Sequence, residues 1–165
     1  MQYYLVFNSS GISVGNGVTP DNTLPPNAVI CTEAQYQAWQ SWSLASGNLA
    51  AATPPAPTLA QQAAAAIIAG LTITSTSAAA LDGTYAVDAS AQQHVMAEIT
   101  SIMLNGTFAD GSATVDWLDV EGASHTFTVA QFKTFATAIS AYVAALTKCM
   151  LGQLAALPAA TVTIP

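Results

Sequence analysis

An α+β fold is predicted by the sequence, on three observations. The chain has 165 residues, of which 52% are hydrophobic, so it is long enough to bury a core. Some segments alternate apolar and polar residues as strands do, and others repeat apolar residues at helical spacing behind a capping residue. The predicted arrangement is a small N-terminal module of a β-hairpin and a helix (1–44), a Pro-rich linker (45–58), and a C-terminal domain with two or three helices and a β-hairpin (59–165).

The N-terminal module begins with β-rich sequence. Residues 3–7 form a predicted strand, the Ser-Ser-Gly triplet that follows predicts a turn, and residues 12–14 form the returning strand. Glycines and prolines between residues 15 and 26 predict a loop, which leads to a short strand at 28–31. A helix over about residues 33–44 completes the module.

This first helix carries an aromatic stripe. Thr32 is a favourable N-cap residue, and Gln35 three positions later completes a capping box. Tyr36, Trp39 and Trp42 then recur at three-residue spacing, on one side of the predicted helix. A module of this size is too small to bury such a stripe without a partner surface. The stripe therefore packs on the module's own strands or the second domain, or it binds a partner protein, or it stacks on a sugar.

Residues 45–58 form the predicted linker. Small residues come first, and a stretch with three prolines follows, which favours extended polyproline geometry. The domain boundary is expected here.

The C-terminal domain is expected to open with a helix and two strands. Thr58 is the predicted N-cap of a helix that continues through an alanine-rich run, and a glycine at position 70 ends the helix. Residues 71–75 alternate as a strand does, an Asp-Gly pair predicts a turn, and residues 84–87 form a second short strand.

The remaining elements are two helices, a hairpin and a final strand. In chain order they are a helix over 91–104 capped by Asp88 or Ser90, strands at 114–118 and 125–127, a helix from Thr128 to about 151, and a strand at 161–164. The apolar face of the first helix is predicted to hold Val95, Ile99, Ile102 and Met103. That of the second is predicted to hold Phe132, Phe135, Ala136, Ile139, Val143 and Leu146.

The charge balance excludes nucleic-acid binding as a main function. The chain has two cationic side chains, Lys133 and Lys148, against nine acidic ones, for a net charge of −7. Binding to phosphate backbones or anionic lipid needs clusters of Lys and Arg. Polar residues also interrupt every apolar run before 18 residues, so no membrane span is expected. The N-terminus resembles no signal peptide, and a cytoplasmic location follows as an expectation.

No catalytic, metal or cofactor site is predicted. Asp116 and Asp119 are an odd number of residues apart on a strand, so they point to opposite faces and form no glycosidase pair. Both could lie near His125 across the hairpin, but a third metal ligand is lacking. His94 is expected on an exposed helix face. The two cysteines are expected to be free buried thiols, although pairing is open in principle.

Residues 60–165 resemble a domain family of uncharacterised function found in bacteriophages and prophages. The segments that carry this resemblance are 73–76, 81–88, 102–108, 117–122, 125–127, 131–133, 135–136, 157–159 and 162–165. Such domains are encoded among tail and tail-fibre genes, so the resemblance implies a role in the virion or in its assembly. It implies no catalytic residues.

The N-terminal segment is similar in element order to the small β-rich heads of phage tail-fibre assembly proteins. The expectation is thus a non-enzymatic tail-associated protein that binds other tail or fibre proteins, is present in the host cytoplasm during assembly, and ends in the virion tail. A structural component, an assembly chaperone and a carbohydrate-binding module are the alternatives. Because few surface charges oppose association, a homo-oligomer or a subunit of an assembly is expected. Tyr36, Trp39 and Trp42 are the candidate partner-binding residues.

Overall fold

Four α-helices and ten β-strands are formed by residues 1–21, 23–52 and 56–165, the part of the chain that the computed structural model describes. The fold is α+β, as predicted. Two units are distinguished by their internal contacts, namely unit 1 (Met1–Ala56) and unit 2 (Pro57–Pro165).

Unit 1 contains a three-stranded antiparallel sheet. Strand β1 (Gln2–Phe7) lies between β2 (Ser13–Thr19) and β3 (Ala28–Cys31). Leu5 and Phe7 point to the same face of β1 and are fully buried.

Strand β2 is longer than the sequence predicts, because two glycines that predict a loop lie within it. Gly15 and Gly17 both lie within β2 and pair with β1. A Cβ atom on Gly17 would overlap the hydroxyl of Tyr4. Glycine in this strand therefore permits a close approach of the tyrosine rather than a turn.

The predicted helix over 33–44 is wrong beyond its first turns. Helix α1 spans only Glu33–Gln37, with the predicted Thr32–Gln35 capping box, and a short 3₁₀ turn follows at Trp39–Ser41. Strand β4 (Trp42–Ala45) then pairs antiparallel with β5 (Asn48–Ala51). The turn between them consists of two residues with positive φ, as a tight hairpin turn requires.

The predicted linker over 45–58 is also corrected by this hairpin, since its first half includes β5. Backbone pairing holds the hairpin: the Leu44 N–H donates to the Gly11 carbonyl oxygen at 2.8 Å, and Ser43 pairs with Ile12 in an isolated bridge. The central part of the predicted linker, at 53–55, lies outside the described residues.

Unit 2 has three helices that begin at the predicted capping residues. They are α2 (Leu59–Ala69), α3 (Ala89–Asn105) and α4 (Val129–Met150). The capping box predicted at Thr128 is formed, the predicted cap Thr58 forms a capping box with Gln61 as well, and Asp88 is the N-cap of α3. Of the two predicted candidates for that cap, Asp88 rather than Ser90 is therefore used.

The strands of unit 2 form a mixed three-stranded sheet and a separate hairpin. Central strand β6 (Leu71–Ser75) pairs antiparallel with β7 (Gly83–Tyr85) and parallel with β10 (Thr161–Ile164). The hairpin consists of β8 (Thr114–Leu118) and β9 (Ser124–Thr128). The predicted Asp-Gly turn is wrong, because its glycine begins β7.

The core of unit 2 is aromatic and centres on the buried face of α4. Six rings, with centroids 4.9–6.2 Å from their neighbours, form this cluster: Tyr85, Phe108, Trp117, Phe127, Phe132 and Phe135. Tyr142 and Cys149 extend the buried face of α4 beyond the predicted stripe, whereas Val143 is only half-buried. On α3, Val95 and Ile102 are buried as predicted, but Met103 is exposed.

Helix α4 is long and apolar enough, by length and composition alone, to cross a membrane. Its buried side packs against α2, α3, β6 and the hairpin strand β9. In the described structure, therefore, α4 is the central helix of the core of unit 2.

Candidate functional site

The three aromatic residues predicted to bind a partner lie on three different elements. Tyr36 is on α1, Trp39 begins the 3₁₀ turn, and Trp42 begins β4. The helical stripe predicted from their spacing is therefore wrong, because the α-helix ends before Trp39. We call these three residues the aromatic surface of unit 1.

Tyr36 is held against the sheet of unit 1. Its ring lies 5.0 Å from that of Tyr3, centroid to centroid, and its carbonyl oxygen accepts a hydrogen bond from the Asn16 side chain at 3.0 Å. The structure therefore agrees, for Tyr36, with the interpretation that the ring packs on the module's own strands.

Trp39 and Trp42 differ from Tyr36 in that their rings do not pack against another aromatic ring of the described residues. Both tryptophans are half-buried. Unit 1 also has a small hydrophobic core. Among its described residues, the buried apolar side chains are those of Leu5 and Phe7. Half-buried indole rings are the type of group that anchors protein interfaces.

A second cluster lies in unit 2, where the β8–β9 hairpin meets the segment before β7. His125 Nε2 lies 3.2 Å from Asp119 Oδ2, and His125 Nδ1 lies 2.7 Å from the Ala80 carbonyl oxygen. The side chains of Asp119 and His125 are 5% and 11% exposed. We call this arrangement the Asp119–His125 clasp.

Hydrogen bonds orient the carboxylate of the clasp. Asp119 Oδ1 accepts from the N–H groups of Glu121 and Ala123, at 3.0 and 2.8 Å. Desolvation raises the pKa of Asp119, but these N–H donors and His125 outweigh it, so the pKa lies below its ordinary value. The carboxylate is thus ionised and fixed in position.

The imidazole of the clasp favours its protonated form. The hydrogen bond to the Ala80 carbonyl oxygen raises the pKa of His125, and Asp119 raises it further against the opposing effect of desolvation. When the ring is protonated, each nitrogen donates to one of these oxygens. Both nitrogens are therefore engaged, and this arrangement ties the hairpin to the chain before β7.

The backbone reinforces the clasp. The Val120 N–H donates to the Thr84 carbonyl oxygen at 2.8 Å. Tyr85, whose hydroxyl donates to the Leu81 carbonyl oxygen at 2.7 Å, places its ring edge-on to His125 at 5.4 Å. Burial raises the pKa of this tyrosine, with Asp119 and Asp82 adding to the effect.

The other candidate residues do not join the clasp. Asp116 accepts a hydrogen bond from Thr126 at 2.6 Å and, with exposed His94 and Asp88, lines a shallow depression of about 370 Å³. No group of three His, Cys, Asp or Glu among the described residues could hold a metal ion.

Both cysteines are free, and the expectation that both are buried holds for one of them. Cys149 is buried, and Cys31 is half-buried. Burial raises the pKa of the Cys31 thiol, which disfavours the nucleophilic thiolate.

Sequence reasoning anticipated one part of the clasp and missed the rest. The hairpin in the sequence predicts that Asp119 can lie near His125. The Ala80 carbonyl could not be found, because a backbone acceptor has no sequence signature. Gly83 is also close to the clasp: a Cβ there would lie 3.1 Å from His125 Nε2 and 3.2 Å from Asp119 Oδ2, so a larger residue would require the pair to shift by a few tenths of an ångström.

The family model described as "Domain of unknown function (DUF4376)" matches residues 35–164. The match thus begins within α1, well before residue 60, and covers all of the α-helices and strands of unit 2. No curated protein and no solved structure matches the chain.

Proposed function

We propose a function from the premise that the chain belongs to the DUF4376 family, whose function is unknown. The chain acts by protein–protein binding, as a structural component of a bacteriophage tail or tail fibre. The resemblance of residues 60–165 to domains encoded among tail genes supports the phage setting. In this proposal the protein is present in the host cytoplasm during assembly and then in the virion.

One observation carries the protein-binding part of the proposal: Trp39 and Trp42 are half-exposed in a unit with few buried apolar side chains. A partner that covers both indoles would bury apolar area that unit 1 leaves in water. The proposal assigns the chain no catalytic role, no cofactor, and no nucleic-acid or membrane partner. The presence of only two lysines and the net charge of −7 support the part of the proposal that excludes nucleic acid and anionic lipid as partners.

Mass spectrometry of purified particles tests the structural role. Phage induced from the strain that encodes this chain is purified on a density gradient, and the peptides are quantified against those of the major tail proteins. We expect a fixed ratio of copies per particle. Particles that are complete and infectious without the chain would refute a structural role.

A tail-fibre assembly chaperone is the second candidate function. The order β1–β2–β3–α1 in unit 1 agrees with the element order on which the resemblance to such proteins rests. A chaperone would increase the yield of soluble fibre on co-expression with the neighbouring fibre gene and would be absent from finished particles. Co-expression and particle composition together separate the two roles.

Substitution of the tryptophans tests the surface. With tail proteins of the same phage as probes, Trp39→Ala and Trp42→Ala are each expected to weaken binding by about thirtyfold, the effect of a typical hot-spot residue. Exposed Leu118→Ala, in unit 2, is the matched control. Equal binding by all three variants would contradict the assignment, and indole quenching by host glycan alone would favour a carbohydrate-binding module.

A further inference from the structure

The three-stranded sheet of unit 2 has one engaged edge and one open edge. Its strand order is β10–β6–β7, so β7 and β10 are the two edge strands. At the β7 edge, the Thr84 carbonyl oxygen accepts a hydrogen bond from the Val120 N–H at 2.8 Å, which joins this strand to the turn of the β8–β9 hairpin. No described strand pairs with the outer side of β10. We call that side the β10 edge.

The hydrogen bonds to β6 show which backbone groups form the β10 edge. Thr72 of β6 lies beside Thr161 in the parallel register, and its N–H donates to the Ala160 carbonyl oxygen at 2.9 Å. Because backbone groups alternate in direction along a strand, the even-numbered residues of β10 face β6. The N–H and C=O groups of Thr161 and Thr163 therefore point outward, and they have no hydrogen-bond partner among the described residues.

The β10 edge lacks features that commonly keep an exposed strand edge from pairing. Such edges are often protected by lysine, by an internal proline or by a β-bulge. The pairing of β10 with β6 is regular, and residues 161–164 include no proline and no charged residue. Strands β6 and β7 carry no charged residue either. Two copies that meet at this edge therefore bring no acid of the sheet strands together, although each copy has a net charge of −7.

The backbone of the β10 edge is complementary to itself. When two β10 strands lie antiparallel about a two-fold axis at Val162, Thr161 of each copy lies opposite Thr163 of the other. Opposite residues in such pairs exchange both hydrogen bonds, so every outward N–H and C=O group of these threonines is paired. The ladder stops at Pro165, which has no N–H and whose carbonyl oxygen already accepts from the Ser75 hydroxyl at 3.0 Å.

The side chains at the β10 edge match in the same register. Val162 is half-buried against the core of unit 2, and it would lie directly opposite Val162 of the other copy. Thr161 and Thr163 are exposed, and they would form threonine pairs on the opposite face. There they continue the row of Thr74, whose hydroxyl lies 2.9 Å from that of Thr163. Cross-strand pairs of β-branched residues stabilise antiparallel strands.

We propose that the β10 edge is an interface between two copies of this chain, at which the two sheets join in the order β7–β6–β10–β10–β6–β7. The joined sheet has about six strands, a more usual size than three. This interface uses none of the residues of the aromatic surface of unit 1. The inference goes beyond the proposed function and shares with it only the premise that the chain acts through protein contacts.

The oligomeric state of the full chain tests this inference. Two short strands form a small interface, so sedimentation equilibrium is expected to show a monomer–dimer equilibrium with a Kd on the order of 10 μM. Thr163→Pro removes the outward N–H and keeps the bonds to β6. It is expected to raise the Kd about thirtyfold, because the symmetric interface loses two hydrogen bonds. Thr163→Ala is the matched control, since it also loses the contact with the Thr74 hydroxyl but keeps the N–H.

Disulfide formation tests the register. In a non-hydrogen-bonded antiparallel pair the Cα atoms lie about 4.5 Å apart, within the range that a disulfide spans, so Val162→Cys is expected to cross-link two copies on mild oxidation. Thr163→Cys is the control, because residue 163 lies diagonal to its own counterpart, about 7–8 Å away. The unmodified chain is the blank, since it retains Cys31 and Cys149.

Three results would overturn the inference. They are an unmodified chain that is monomeric up to about 1 mM, a folded Thr163→Pro variant that dimerises as tightly as Thr163→Ala, and cross-linking of Thr163→Cys that equals that of Val162→Cys. Circular dichroism shows whether each variant folds, and the cross-linking comparison decides the question if Thr163→Pro does not. A monomer would leave the proposed function intact, because particle composition and the tryptophan variants test that function independently.

Discussion

At the scale of single residues, the Asp119–His125 clasp packs against Gly83, which has no side chain. Gly83 lies so close to both partners that a methyl group would contact each of them. No positive φ is involved at this position, so the requirement comes from space alone. The Asp-Gly pair in the sequence is more often a turn, and only the packed structure shows that a Cβ at position 83 would crowd the clasp.

We expect Gly83→Ala to lower the free energy of unfolding of unit 2 by about 1–3 kcal/mol, because the added methyl group crowds the clasp. Gly15→Ala is the control, since Gly15 is also in a strand and a Cβ there meets nothing within 4 Å. Urea denaturation monitored by far-UV circular dichroism measures both. Equal midpoints would show that the clasp tolerates the methyl group.

The clasp also makes stability depend on pH. The pKa of His125 is raised in the folded chain, so protonation favours folding below its ordinary pKa of about 6.5. This contribution is lost as the pH rises through the raised folded-state value. The pKa of Asp119 is lowered, so its own contribution is lost only as the pH falls through that value, well into the acid range.

Denaturation from pH 5 to pH 9 is therefore expected to show the free energy of unfolding falling above about pH 6.5. His125→Gln should flatten this decline, whereas His94→Gln should retain it, because His94 is exposed and outside the clasp. A decline of the same slope in the chain with Gln at position 125 would show that another group causes it.

At the scale of elements, local signals predicted unit 2 well and unit 1 poorly. Capping boxes fix where α2 and α4 begin, because Thr58 and Thr128 each bind the chain three residues ahead. In unit 1, helical spacing of the tryptophans suggested a helix through residue 44. Strand pairing outweighs that local preference: the hairpin bonds to the Gly11 carbonyl and to Ile12, contacts that no local pattern encodes.

The importance of capping is tested on α4. Thr128→Ala removes the acceptor for the Gln131 N–H and is expected to destabilise unit 2 by about 1 kcal/mol. Thr147→Ala, at an exposed position inside the same helix, loses only a bond to the Val143 carbonyl oxygen and should have little effect. Thermal unfolding compares the two, and a larger loss at Thr147 would contradict the role of the cap.

At the scale of the whole molecule, charge is scarce and unbalanced. The one ion pair among the described residues is that of the clasp, and it requires protonated His125. At alkaline pH, net repulsion is therefore the main electrostatic effect on the fold. The half-buried tryptophans of the aromatic surface are consistent with a molecule whose associations depend mainly on apolar contact.

We expect added salt to stabilise the chain at pH 9. Raising NaCl from 0.1 to 1 M shortens the screening length from about 10 to about 3 Å, which weakens the repulsion. At pH 5.5 the same addition also screens the clasp, so the increase in Tm should be smaller. Calorimetry at both pH values measures the difference, and a Tm that falls with salt at pH 9 would contradict this account.

The parallel pairing of β6 with β10 has a consequence for synthesis on the ribosome. Thr74 and Thr163 share a hydrogen bond across 89 positions, so β6 emerges long before the strand that completes its sheet. Until then β6, with its apolar residues Leu71 and Ile73, presents an unpaired edge. The nascent chain must therefore keep that edge from pairing with neighbouring chains for several seconds, and unit 2 completes its fold only after β10 has emerged.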